Sequence, residues 1–175
     1  MTKPQSNLPD ISFQCLDAIK VNISIEKEGL HFYEKAIKNI KNEKVKEFFV
    51  KLVAEEKEHI DLLEEKARFL QPVLSGKSSF NNQVDTFISK ELKGKVFPSA
   101  HKRDHAFDLA SIKDDVQALE FGIEAEKRSI GVLTHLLSLE RKIDVKAIFS
   151  HLIAEEKKHL AGLEKLKQQI SDKPI

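Results

Sequence analysis

Ala54-Glu55-Glu56-Lys57-Glu58-His59 is written a second time one hundred residues later, as Ala154-Glu155-Glu156-Lys157-Lys158-His159. In each copy a Glu and a His stand three residues apart, so on a helix both side chains lie on one face, one turn apart. A long apolar-periodic segment precedes each copy and carries one acid on its apolar side, Glu26 and then Glu126. Four carboxylates and two imidazoles in two matching halves are what a di-metal site in a helical bundle requires.

The periodicity around the motifs is helical. Ile19, Ile23, Glu26, Leu30, Tyr33, Ile37 and Ile40 recur at spacings of four and three, which is the seam of a bundle helix running from an N-cap at Asp10. Asn42 is placed to cap the next helix, whose seam is Val45, Phe49, Leu52, Glu56, His59, Leu63 and Leu70. The second half repeats this through Leu119, Ile123, Glu126, Ile130, Leu133 and Leu137, then Val145, Phe149, Leu152, Glu156, His159, Leu163, Leu166 and Ile170, with Asp144 as the expected cap. Turns are expected near Lys41 and Arg141, and each motif Glu lies as far beyond its turn as its partner acid lies before it. At ~1.5 Å per residue, both acids of a hairpin then sit roughly 22 Å from the turn, at one level.

Residues 1–9 read as a tail, 10–70 as the first helical hairpin, 71–111 as a connection and 112–170 as the second hairpin. The connection is punctuated by Pro72, Ser75-Gly76, Gly94 and Pro98, with a short helix expected between Phe80 and Leu92. A structureless stretch of this length is uncommon inside a compact domain, so it reads as a crossover travelling the length of a four-helix bundle. A linker between two separate hairpins is the alternative, but neither hairpin alone could bury its seam.

Composition narrows the function. The 175 residues suffice for one substantial core, and 33% charged residues with six Gly, five Pro and no Trp suit a helical protein. A net charge of +1 without a basic block gives no case for nucleic acid or an anionic membrane surface. Cys15 is the single cysteine, which excludes an intrachain disulfide framework and any Cys-x-x-Cys site. With no apolar run of membrane-spanning length and no signal-peptide pattern, the expected location is cytoplasmic.

Carboxylates buried among aliphatic side chains cost several kcal/mol each or take up protons, and four together repel one another. Two divalent cations remove both problems. Carboxylate and imidazole without thiolate favour iron or manganese, although zinc also fits. The expected arrangement has Glu56 and Glu156 bridging, His59 and His159 on one metal each, and Glu26 and Glu126 as terminal ligands. Tyr33, seven residues after Glu26 on the same seam, is expected over the site, where its phenol could hydrogen-bond a ligand or act in one-electron chemistry. An ordinary core tyrosine is the competing reading, and the other half has Leu133 there. Glu28 and His31 share the Glu-x-x-His spacing off the seam and read as exposed. Nothing nearby completes a site for His101 and His105, and His135 and His151 read as surface or interface residues.

The stretch from Glu26 to Tyr33, followed by Leu52-Val53-Ala54-Glu55-Glu56-Lys57-Glu58-His59, resembles the di-iron domain of rubrerythrins in the ferritin-like superfamily. The resemblance spans both hairpins, about 16–70 and 115–170. It implies an all-α, ferritin-like four-helix bundle with a non-haem centre of two iron ions, often in a homodimer. It also implies reduction of hydrogen peroxide or dioxygen by ferrous iron in defence against oxidative stress. Rubrerythrins that are efficient peroxidases carry a further Glu one turn after the third-helix ligand, where this chain has Ser129. The paired Cys-x-x-Cys motifs of a rubredoxin domain are not present, so a separate protein is expected to donate electrons. The four-Glu, two-His set is equally that of bacterioferritin-type ferroxidase centres. Iron handling, and a binding protein that keeps metal for stability only, therefore stand as alternatives to the oxidoreductase.

Overall fold

The structure is a computed structural model in which residues 13–74, 82–97 and 112–172 are described. Four long helices dominate: α1 (Cys15–Ala36), α2 (Glu43–Leu74), α4 (Asp115–Leu139) and α5 (Ile143–Ser171), with a short α3 (Asn82–Phe87) between the pairs. No strand occurs among the described residues, and no helix among them is long and apolar enough to cross a membrane. The fold is an all-α helical bundle, as the two seams imply.

Helix α1 packs along α2, and α4 along α5, as two antiparallel hairpins. Ion pairs on their outer faces repeat at the same offset as the motifs: Lys27–Glu64 at 2.7 Å and Lys127–Glu164 at 3.0 Å. Asn42 caps α2 as expected, its Oδ1 accepting from the N–H groups of Lys44 and Val45. Asp144 does not cap α5. The N-cap is Lys142, and Asp144 sits in the first turn, where its acid suits the positive end of the helix dipole. The expected cap Asp10 lies outside the described residues, and the described helix starts at Cys15 behind Gln14, whose backbone N–H is bonded by Asp17.

Tethers at the ends fix the topology. Asp115, the first residue of α4, accepts from the N–H groups of Lys41 and Asn42 in the α1–α2 turn. At the opposite end, Lys142 donates to the carbonyl of Phe13, and the Cys15 thiol donates to Asp144. α1 therefore runs antiparallel to α4 and parallel to α5, and the chain must cross the bundle's length between α2 and α4. The described part of that crossover follows α1 upward, from Lys20–Asp85 to Glu28, which accepts from the N–H groups of Gly94 and Phe97. Glu28 is thus half-buried rather than exposed, because it anchors the crossover backbone; His31 is exposed.

The expected short helix between Phe80 and Leu92 is α3, which continues into one π-helical turn over Ile88–Leu92. Phe87 packs edge-on against Phe13, and Phe97 joins Phe32 and Tyr33 in the core. Phe80, Phe107, His101 and His105 lie outside the described residues. The crossover also broadens the buried face of α1. Ala18, Val21, Asn22, Ile25, Gly29, Phe32 and Ala36 are buried, while the seam residues Ile23, Leu30 and Ile37 are only half-buried at its edge.

Candidate metal centre

Each of the four long helices brings its acid to one level of the core. Glu26, Glu56, Glu126 and Glu156 are all buried, and His159 with them, while His59 is half-buried. They form two overlapping groups: Glu26, Glu56 and His59, and Glu56, Glu126, Glu156 and His159, with the facing atoms of each group within 4.8 Å of one another. Glu56 belongs to both. The two imidazoles lie nearly parallel, centroids 6.0 Å apart. Nδ1 of His59 is 3.4 Å from Glu26, and Nδ1 of His159 is 3.4 Å from both Glu56 and Glu156.

Those atoms face one another without bonding. Buried and lacking a hydrogen-bond partner are Glu26 Oε2, Glu56 Oε1, His59 Nδ1, Glu126 Oε2, Glu156 Oε2 and His159 Nδ1. That is one orphaned ligand atom on each of the six side chains singled out by the motif. Buried polar atoms are otherwise almost always paired, so the set fits divalent cations bound by carboxylate and imidazole.

Protonation reflects the same deficit of positive charge. Burial pushes the carboxyls of Glu56 and Glu126 well above their ordinary values, and neighbouring acids push them further. Burial opposes ionisation of Glu156 too, but the His159 ring, Glu126 and the Ser129 hydroxyl hold its carboxyl below the usual value. Burial works to lower His159, yet Glu126 and Glu156 raise it to about 10. Glu26 is the main cause of a raised His59. Protons gather where metal charge would otherwise sit.

Further contacts hold the six in place. The Tyr33 hydroxyl donates to Glu126 of the opposite hairpin, and burial with that carboxylate keeps the phenol protonated. Ser129 donates to Glu156 Oε1 at 2.7 Å. The far ring nitrogens reach across the bundle: His59 Nε2 lies 3.9 Å from Glu155, and His159 Nε2 lies 3.8 Å from Glu55. The first Glu of each Glu-Glu-Lys-x-His motif thus faces the other half's histidine, the position from which a carboxylate orients a ligand ring. Sequence reading left Glu55 and Glu155 out, although their place beside the motif acids in both copies was visible. His135 is half-buried and His151 exposed, and neither joins the cluster.

An all-α bundle with a buried carboxylate–histidine cluster at its centre defines the ferritin-like di-iron proteins. A sequence model of the family described as Rubrerythrin matches residues 17–167, and the chain belongs to that family, which implies iron binding. No curated protein and no solved structure matches the chain significantly.

Proposed function

We propose that the protein is a non-haem di-iron oxidoreductase that reduces hydrogen peroxide or dioxygen with electrons from a separate donor protein. The observation that carries this reading is the set of six orphaned atoms, one on each of Glu26, Glu56, His59, Glu126, Glu156 and His159. Glu26, Glu56 and His59 would hold one ion, and Glu56, Glu126, Glu156 and His159 the other. Two ferrous ions held by these ligands would supply one electron each, the two electrons that, with two protons, convert peroxide to two waters. The chain's own part is positional. Ser129 fixes one oxygen of Glu156, leaving the other free to ligate. Tyr33 holds its proton against Glu126 and, with Phe32, Phe49 and Phe97, closes the apolar side of the site. Glu55 and Glu155 orient the imidazoles from outside.

Anaerobic loading with ferrous iron, metal quantification and titration with peroxide tests the proposal. The expected result is two irons per chain and oxidation of about two ferrous ions per peroxide, both lost in Glu56→Ala with helicity retained. Fully loaded protein that consumes no peroxide sinks it. A ferroxidase that feeds iron storage is the second reading. Ser129 favours it, because that buried hydroxyl already bonds Glu156 where peroxidase-type rubrerythrins carry a seventh carboxylate. Iron uptake far above two per chain, in a closed shell, would establish that alternative.

A further inference from the structure

Among the described residues, Asn22 carries another buried polar atom without a partner, its Oδ1. The residue is only 1% exposed and stands one turn before Glu26 on α1. Its Nδ2 donates to the carbonyl of Ile148 on α5 at 3.4 Å, which decides how the amide is turned. Asn22 lines a cavity of about 30 Å³ with Glu26, His59, Leu63, Leu152 and Glu155. That space suits one small molecule of about the size of water or peroxide. Asn22 also borders an apolar groove of about 820 Å³ between α1, α2 and α5, so the small cavity lies between the groove and the Glu26–His59 side of the cluster.

The other hairpin closes the same place. Gly122 stands one hundred residues after Asn22, and Leu163 packs so closely on it that a Cβ there would lie 3.2 Å from the leucine side chain. The His159 side chain is 5% exposed against 20% for His59. Among the described residues, the cluster is therefore more open on the Asn22 side.

We propose that Asn22 is a substrate-binding residue whose Oδ1 accepts a hydrogen bond from a small protonated ligand in this cavity, water at rest and hydrogen peroxide in turnover. The peroxide half of this statement rests on the function proposed above. An amide oxygen only accepts, and a buried acceptor left unpaired is costly. Hydrogen peroxide has protons to offer it and dioxygen has none, so the residue favours peroxide over dioxygen. Nothing in this step moves electrons; it places the oxidant beside Glu26 and His59.

Zinc-loaded protein, which cannot reduce peroxide, separates binding from turnover. Crystals of that form soaked in hydrogen peroxide are expected to hold a water or peroxide within hydrogen-bonding distance of Oδ1, and crystals of Asn22→Leu to hold none. In ferrous protein, Asn22→Leu is expected to weaken the apparent affinity for peroxide roughly tenfold, about the worth of one hydrogen bond. The loss should show in the affinity for peroxide more than in the saturating rate or the oxidation by dioxygen, although the variant also gives up the Nδ2 bond to the Ile148 carbonyl. Asn22→Ala, which adds no bulk, replaces the leucine variant if the latter binds fewer metals or melts earlier. A dry cavity in the zinc form, or equal losses toward both oxidants, overturns the inference. Ferrous protein that ignores peroxide while the zinc form holds a ligand on Oδ1 would refute the proposed function and leave the binding site standing. Peroxide consumption with an unaffected Asn22→Leu would do the reverse.

Discussion

The two hairpins carry the same Glu-Glu-Lys-x-His motif and place it in different surroundings. In the first, Asn22 precedes the acid by a turn and Gly29 follows it, so a cavity opens on one side and Phe97 of the crossover leans in on the other. In the second, the equivalent residues are Gly122, which Leu163 covers, and Ser129, which bonds Glu156. Tyr33 of the first half then reaches over to hold Glu126 of the second, where Leu133 offers nothing in return. A duplicated ligand set has thus become one half that meets solvent and one half that is sealed and braced.

The largest effect expected from this difference is on metal retention. A chelator should strip metal in two phases, the faster from the Glu26–Glu56–His59 side, where the cavity admits it. His59→Ala is expected to abolish the fast phase and leave about one metal per chain, while His159→Ala leaves about one that is lost quickly, each having removed one ligand of one ion. Metal analysis after timed chelation reads both. Identical release from the two variants would make the halves equivalent and break the comparison.

A smaller effect separates Gly29 from Ser129. A Cβ at Gly29 would lie 3.1 Å from the Phe97 ring and 3.3 Å from Glu56, so Gly29→Ser must displace the ring or the acid. Such overpacking costs about 1–3 kcal/mol. Ser129→Ala leaves the space unchanged and removes one hydrogen bond to a carboxylate, about 1–2 kcal/mol at most once the other oxygen is metal-bound. Urea denaturation of the zinc-loaded proteins should rank Gly29→Ser as the more damaging. The opposite order would mean that Ser129, rather than Phe97, sets the rigidity of the site.

The helices and the six side chains were legible because they are periodic. Seam placement, equal distance from the turns and the offset of one hundred all follow from the chain's own repeat. What escaped were contacts that depend on a third body. Glu28 reads as exposed by helical spacing alone, and is tethered because Gly94 and Phe97 of the crossover come to it. Asn22 reads as one more polar residue until α5 supplies Ile148 on one side and a cavity on the other. Asp144 has the chemistry of a cap, and the backbone begins its helix two residues too early for it to serve.

The ends of the bundle carry the smallest and most specific difference. Cys15 and Asp115 are equivalent residues, each the first of its hairpin, and each latches onto the other hairpin with opposite polarity. Asp115 accepts from the backbone of the α1–α2 turn, whereas the Cys15 thiol donates to Asp144 Oδ2 at 3.0 Å in the first turn of α5. Burial raises the Cys15 thiol to about 11, and the hydrogen bond to Asp144 and its charge add to the rise. Because the neutral thiol is the form the fold favours, its contribution to stability is complete below the unfolded pKa of about 8.5 and fades as pH climbs toward the folded value. Alkylation of folded protein with iodoacetamide is therefore expected to follow a profile with its midpoint at about 11. Asp144→Asn, which keeps an acceptor and loses the charge, should lower that midpoint only in part, since burial is the larger cause. A midpoint at the ordinary thiol value would show that Cys15 is not latched to α5, and that this end of the bundle is held by Lys142 and the Phe13 carbonyl without it.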